Sequence, residues 1–254
     1  MMKKILKARE TTSFLFLAAL FLLVGIINPS FLTLSNISAC FNTSVVYTLI
    51  AVGMAFAIFV GEIDVSVGSN LGLVAAVVGT MIQNGSNWFA AFAVGICIGA
   101  VVGLINGWGV AVMKIPSLIF TLGTNGILRG MMYLQVGAEQ VNQLPKAFKD
   151  ISSMTLVCSF TIYYCCAVLL TLLIHALLTR TRKGRYFIAV GDNAGGAELV
   201  GIPATRTKVL AYVICGVLSA IGGIIFCSRI GIVTSLSGNG YEMKAVAACV
   251  LGGI

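Results

Sequence analysis

Apolar residues fall in long unbroken blocks separated by short polar stretches, with no in-and-out alternation. The blocks run over about 14–27, 36–60, 65–82, 88–112, 116–134, 155–179 and 209–228, and an eighth begins near Ala245. A helix of about 20 apolar residues crosses the hydrocarbon layer, whereas a barrel strand needs only ~10 alternating ones. Lipid offers the backbone no hydrogen-bond partner, so long apolar blocks satisfy their N–H and C=O groups as helices. The expected fold is all-α, a polytopic transmembrane helix bundle. It has about seven complete spans plus a truncated eighth, in a single membrane-spanning unit over residues 1–254. The first block follows Lys3, Lys4, Lys7 and Arg9, as the apolar core of a secretory signal would. It ends in Asn28-Pro29-Ser30 without a small-x-small cleavage pattern, and further spans follow, which predicts an uncleaved first helix. Thr33 and Ser35 are alternative N-caps for the second helix.

Composition agrees with the pattern. Hydrophobic residues make up 59% and charged residues 9% of the chain, and the mean hydropathy is +1.03. A soluble domain carries roughly a quarter of its residues charged, so lipid is the solvent for much of this chain. The formal net charge of +8 sits at the ends of apolar blocks, with no basic patch interleaved with aromatics, which argues against a nucleic-acid partner. Basic residues gather on the cytoplasmic side of a membrane. That rule places the N-terminus, Lys114 and the charged segment 180–208 together in the cytoplasm, with the Lys- and Arg-free loops 28–35 and 83–87 outside. The eight cysteines (40, 97, 158, 165, 166, 215, 227 and 249) form no C-x-x-C pair, and His175 stands alone in an apolar run. Neither a metal site nor a catalytic dyad is expected, and no catalytic residue is assigned.

Small residues recur at helical spacing. Gly95, Gly99, Gly103 and Gly107 line one face of the fourth span, Gly68, Gly72, Ala76 and Thr80 a face of the third, and Ser219 and Gly223 a shorter one on the seventh. Such stripes let helix backbones approach in lipid and specify no substrate.

Three segments carry more chemistry. Glu62, Asp64 and Ser66 lie in an acidic turn between the second and third spans. Carboxylates there need a partner, a wet cavity or an interface position. Asp64 or Ser66 is placed to cap the third helix, and the alternative is that the turn lines a path or touches a partner. On the fifth span, Thr121, Thr124 and Asn125 either bond within their helix or line a polar path. Arg129, ~20 Å along the axis from Pro116, is expected near the far interface, where a long side chain snorkels to water. In the charged segment, Asp192 or Asn193 can cap a short helix over 194–200 with Gly201 beyond its end. Physically this is a docking surface for a soluble partner or a solvated basic linker.

These three segments, in this order, resemble the permease family of ribose-type ABC importers. The acidic turn is similar to that family's G-G-I-D-L-S-V-G signature, with Glu62 in place of the second glycine. The P-S-L-I-F-T-L-G-T…R-G stretch resembles its fifth-span motif. Gly184, Arg185, Ala189, Gly191, Asn193, Gly201 and Ile202 match its cytoplasmic coupling loop, and 240–253 also fits. The resemblance implies a subunit that passes a sugar or sugar-like small molecule through the inner membrane, rhamnose and ribose included. Its partners would be a second permease subunit, identical or not, an ABC ATPase beneath and a periplasmic substrate-binding protein above. The chain has no G-x-x-x-x-G-K-[ST] phosphate loop, so ATP would be bound by the partner, and no cofactor is expected in this subunit. The segment Gly184–Ile202 would dock the ATPase, with Gly191 in a turn, Asn193 as a cap, and Ala189 and Ala197 as small contact surfaces. Members of the family continue past the L-G-G motif, whereas this chain stops at Ile254, which predicts a last helix too short to cross and a transport-deficient product. An ion-driven secondary transporter is the alternative of a different class, with His175, Arg129, Glu62 and Asp64 as its relay candidates.

Overall fold

The computed structural model describes residues 9–137, 140–157 and 159–254. Lys3, Lys4, Lys7 and Cys158, which entered the charge and cysteine arguments, lie outside the described residues. The fold is an all-α polytopic bundle. Its long helices are α1 (Arg9–Ile27), α2 (Leu34–Phe59), α3 (Val67–Gln83), α4 (Trp88–Ala111) and α5 (Ser117–Val136). After the short α6 (Lys146–Asp150) come α7 (Ile162–Arg180), α8 (Arg182–Asp192), α9 (Ala194–Leu199), α10 (Ala204–Ile230) and α11 (Tyr241–Gly252). By length and composition, α2, α4, α7 and α10 are long and apolar enough to cross a membrane, and the apolar stretches 13–27 and 67–83 are shorter.

Several boundaries differ from expectation. The sixth apolar block is not helical from Thr155: residues 155–157 and 160–161 form a small antiparallel hairpin, and the helix starts at Ile162. Thr161 sets that start, because its hydroxyl accepts the Tyr164 N–H. The seventh helix begins at Ala204, behind Pro203, which terminates the preceding segment and cannot donate a backbone bond. Of the two possible caps for α2, Thr33 is the one used, its Oγ1 accepting from the Asn36 N–H.

Helix α10 is the central post, packed by α2, α3 and α4. The glycine stripe of α4 faces it. A Cβ at Gly99 would lie 2.5 Å from the Gly216 carbonyl and from the Ala220 methyl, and one at Gly107 would lie 2.8 Å from Val209 Cα. The two backbones thus touch, which gains dispersion contact that lipid tails cannot match. The small residues of α10 serve the neighbouring contact: Ser219 Oγ donates to the Val67 carbonyl, and Gly223 leaves room for that of Leu71. Asn70 Nδ2 adds a buried bond of 2.9 Å to the Gly216 carbonyl.

The connections sort to two ends. At one, the 60–66 turn meets the start of α10 and α5, and Gly191 of α8 packs on the Phe59 carbonyl. At the other, Gln83 bonds the Gln143 N–H, Val141 pairs with Val233, and Ser228 donates to the Phe148 carbonyl. Lys114, just before α5, and the charged segment before α10 lie at the same end, beside the acidic turn.

The last segment corrects the expected eighth span. Helix α11 starts at Tyr241 rather than near Ala245, and it starts deep in the bundle. Ser219, bonded to the first residue of α3, lies 15 residues into the 27-residue α10, roughly halfway along its ~40 Å length. The stretch after α10 descends to that depth: Ser237 O packs on Gly72, and Gly238 O and Glu242 pack on Gly68. From there α11 runs alongside α2 in the same direction, with Tyr241 stacked on Tyr47 at 4.7 Å and Cys249 Sγ donating to the Ala51 carbonyl. Residues 231–240 are therefore an unwound stretch, and the helix that follows begins at mid-depth.

Candidate translocation and coupling sites

The acidic turn is built from both its carboxylates. Glu62 pairs with Lys208 of α10 at 2.6 Å. Asp64, only 1% exposed, accepts from the Ser66 N–H (2.9 Å) and the Ser66 hydroxyl (2.6 Å), and Asn106 Nδ2 of α4 approaches both carboxylate oxygens and the Ser66 Oγ. Neither residue caps α3 as expected. Ser66 occupies the cap position with no side-chain cap bond because its hydroxyl is directed to Asp64, and Asp64 closes a turn one residue before the helix. Burial pushes the Asp64 carboxyl above its ordinary pKa, against the lowering effect of the bonds from Ser66 and Asn106.

Helix α5 ties this turn in place. Thr121 Oγ1 donates to the Ser117 carbonyl in its own helix and accepts the Val65 N–H at 3.2 Å. Thr124 donates within its own helix, to the Phe120 carbonyl. Asn125 keeps a buried Oδ1 without a partner among the described residues. Arg129 does not snorkel to the far interface. Half-buried, it turns into the bundle, and Nη1 donates to the Ser237 carbonyl at 2.8 Å, because the unwound 231–240 segment brings free carbonyls to its level. Gly123, Gly126 and Gly130 lie on the outer side of the same helix with no atom within 4 Å of a Cβ placed there.

The charged segment is two helices, not a loop. Thr181 caps α8 through the Gly184 N–H, and Asn193 caps α9 through the Gly196 N–H at 2.8 Å, so Asn193 and not Asp192 fills that role. Gly201 follows α9 with φ +83°, and Ile202, half-buried, donates its N–H to the Ala197 carbonyl. Gly191 is corrected: it sits inside α8, and glycine is required because a Cβ would strike the Phe59 carbonyl. Gly184 has the same function against Leu177 and Leu178. Ala197 faces inward, buried with Phe187 and Val190 against Phe56 and Ala204, so it offers no contact surface, and Ala189 is half-buried. Arg185 is exposed, and the apolar tip consists of Leu199, 90% exposed, and Val200, 76% exposed.

Residues 36–254 match the family described as branched-chain amino acid transport system / permease component. The chain belongs to that family. Among its relatives, the Autoinducer 2 import system permease protein LsrC of Enterobacter sp. (strain 638) is 41% identical over 254 residues, 100% of this chain and 74% of that protein. The proteins of that name from Klebsiella pneumoniae subsp. pneumoniae and Yersinia pseudotuberculosis serotype O:1b are each 39% identical, covering 100% of this chain and 73% and 72% of their own lengths. No solved structure matches the chain. The permease is thus an integral membrane transport subunit and not an enzyme. The G-D-N at 191–193 and the wording of 242–253 are the parts that read most like an autoinducer-2 permease.

Sequence reasoning missed Asn106, Lys208, Ser237 and Glu242 as members of these sites. Asn106 carried a signal, a polar amide inside the glycine-striped span. Ser237 contributes a backbone carbonyl, which no side-chain pattern reveals.

Proposed function

We propose that this permease is the membrane subunit of an ABC importer that carries autoinducer 2, or a closely similar sugar-like molecule, across the inner membrane. The observation that carries the reading is the continuous similarity of all 254 residues to the autoinducer 2 import permeases. The end holding α8, α9 and the basic residues faces the cytoplasm, by the positive-inside rule, and with it the N-terminus. There α8 and α9 dock an ABC ATPase, which binds the nucleotide. The exposed Leu199 and Val200 support this, since an apolar tip on a helix outside the bilayer fits a groove in a soluble partner. A second permease subunit packs on the open glycine face of α5, and a periplasmic binding protein delivers substrate to the opposite end.

The test is co-purification of the chain with its ATPase, followed by substrate-stimulated hydrolysis in the presence of binding protein. Leu199→Glu with Val200→Glu should abolish ATPase association while leaving membrane insertion intact. Full association of that variant would refute the docking surface. In intact cells, a cysteine at Arg182, on a background without native cysteines, should resist impermeant reagents, and labelling from outside would refute the orientation.

A further inference from the structure

One face of the bundle is unsuited to lipid. Lys244 of α11 is exposed, and its Nζ donates to the Tyr47 hydroxyl at 3.4 Å. Tyr47 is residue 14 of the 26 in α2, roughly 20 Å from either end, so the ammonium stands at mid-depth. It is held there over two stacked rings, 5.1 Å from the Tyr47 centroid and 5.5 Å from that of Tyr241. A lysine side chain anchored in this way reaches neither interface. A second cation lies nearer the Leu34 end of α2. Arg229 of α10, half-buried, donates Nη1 to the Asn42 carbonyl and Nη2 to the Thr43 hydroxyl, and Thr43 precedes Tyr47 by one turn on the same helix face. Neither cation forms an ion pair among the described residues. The Glu242 carboxylate packs over Gly68 of α3 instead.

Hydroxyls accompany the charges. Ser44, Tyr47 and Thr48 border a cavity of ≈ 400 Å³ between α2 and α11. The Ser44 and Thr48 hydroxyls donate within α2, which leaves each oxygen able to accept from water. Helix α7 shows the contrast, because Leu169, Leu172 and Leu173 make up its exposed middle, as suits acyl chains. Charges at membrane depth persist where they border water or a partner group. An apolar helix laid over Lys244 would strand the ammonium as lipid does.

We propose that the α2–α11 face lines the aqueous route of the permease, and that Lys244, with Arg229 beyond it, gives the route a positive field that rejects cations. A fixed charge beside a narrow wet passage with low-dielectric walls selects by sign. The route therefore admits neutral or anionic solutes and holds back inorganic cations, whose leak would discharge the membrane. This reading rests on the import function proposed above, and adds which face the solute passes and which charge it excludes.

The experiment uses the permease assembled with its ATPase, partner permease and binding protein in liposomes, on a background without native cysteines. Thr48→Cys is treated during ATP turnover with two methanethiosulfonates of similar size, one bearing a sulfonate and one a trimethylammonium group. Ser44→Cys serves if the first variant does not assemble, and Leu172→Cys, midway along α7, is the lipid-facing control. Both reagents should modify Thr48→Cys and neither should modify Leu172→Cys. Relative to their rates with a free thiol in solution, the sulfonate should react about tenfold faster than the cation, as one unit charge several ångströms away dictates in water. Adding Lys244→Gln should reduce that preference to about twofold, the remainder coming from the more distant Arg229. Equal rates with Lys244 in place would overturn the positive field, as a neutralising carboxylate from a partner helix would produce. If Thr48→Cys is as inert as Leu172→Cys in an assembly that imports solute, the route is overturned and the import function stands. If Thr48→Cys reacts but no assembly imports any solute, the import function is refuted, and the route with it.

Discussion

Replacing Gly191 by alanine separates two explanations of why a glycine stands there. In a turn, alanine would be strained by a positive φ, but Gly191 is not among the residues of positive φ and lies near the end of α8. What opposes a side chain is the α2 backbone: a Cβ would strike the Phe59 carbonyl oxygen and lie 2.9 Å from its carbon and 3.4 Å from Val60 Cα. Main-chain atoms at a helix end cannot rotate away as a side chain would, so α8 must shift off α2. Overpacking of this kind costs about 1–3 kcal/mol. Alanine recovers up to ~1 kcal/mol of helix propensity, which leaves a net loss of up to about 2 kcal/mol. Gly195→Ala is the control, because its Cβ would meet nothing nearer than Asn193 Oδ1 at 3.6 Å, and only the propensity gain remains. Thermal unfolding of the purified protein, at ~2–4 °C per kcal/mol for a chain of this size, should show opposite signs for the two variants. If Gly191→Ala melts at or above the unsubstituted protein, the close approach of α8 to α2 is wrong.

Gly103→Ala should destabilise by about 1–3 kcal/mol, since its Cβ would lie 2.7 Å from Val213 Cα and against the Tyr212 carbonyl; an unchanged melting temperature would contradict the α4–α10 contact. Asp64→Asn should cost about 1–3 kcal/mol in chemical unfolding, because an amide nitrogen would then face Asn106 Nδ2 or a Ser66 donor; unchanged stability would contradict the buried network. A double-mutant cycle on Glu62→Gln and Lys208→Met should give a coupling of about 1 kcal/mol in chemical unfolding, and zero coupling would show the 2.6 Å pair to be energetically idle. Asn193→Ala should cost ~1 kcal/mol of local helix stability, read as faster amide exchange in α9 with α10 unaffected.

Sequence by itself determined the solvent and hence the class. So few charges cannot cover a water-facing surface, and long apolar blocks in lipid have no option but to bond internally. The stripes of Gly99, Gly103 and Gly107 announced backbone contact, and Asn193 with Gly201 marked both ends of a short helix, because capping and close approach are local demands. Tertiary structure decided what these features meet. Glycine spacing does not say that α10 is the opposing helix, and nothing local distinguishes Gly191 in a turn from Gly191 under a carbonyl. Arg129 read as an interfacial residue because its distance was counted along a straight helix. Its carbonyl partner lies more than 100 residues away, on a segment unwound to half the depth of the bundle. Asp64 read as a helix cap because capping is the nearest use for a carboxylate at that position, but Asn106 of α4 makes a buried network the better use. Hydropathy registers how apolar a stretch is, not whether its backbone is helical throughout. The unwound stretch before α11 is therefore a tertiary feature, set by Ser237 and Glu242 filling the space that Gly72 and Gly68 leave open.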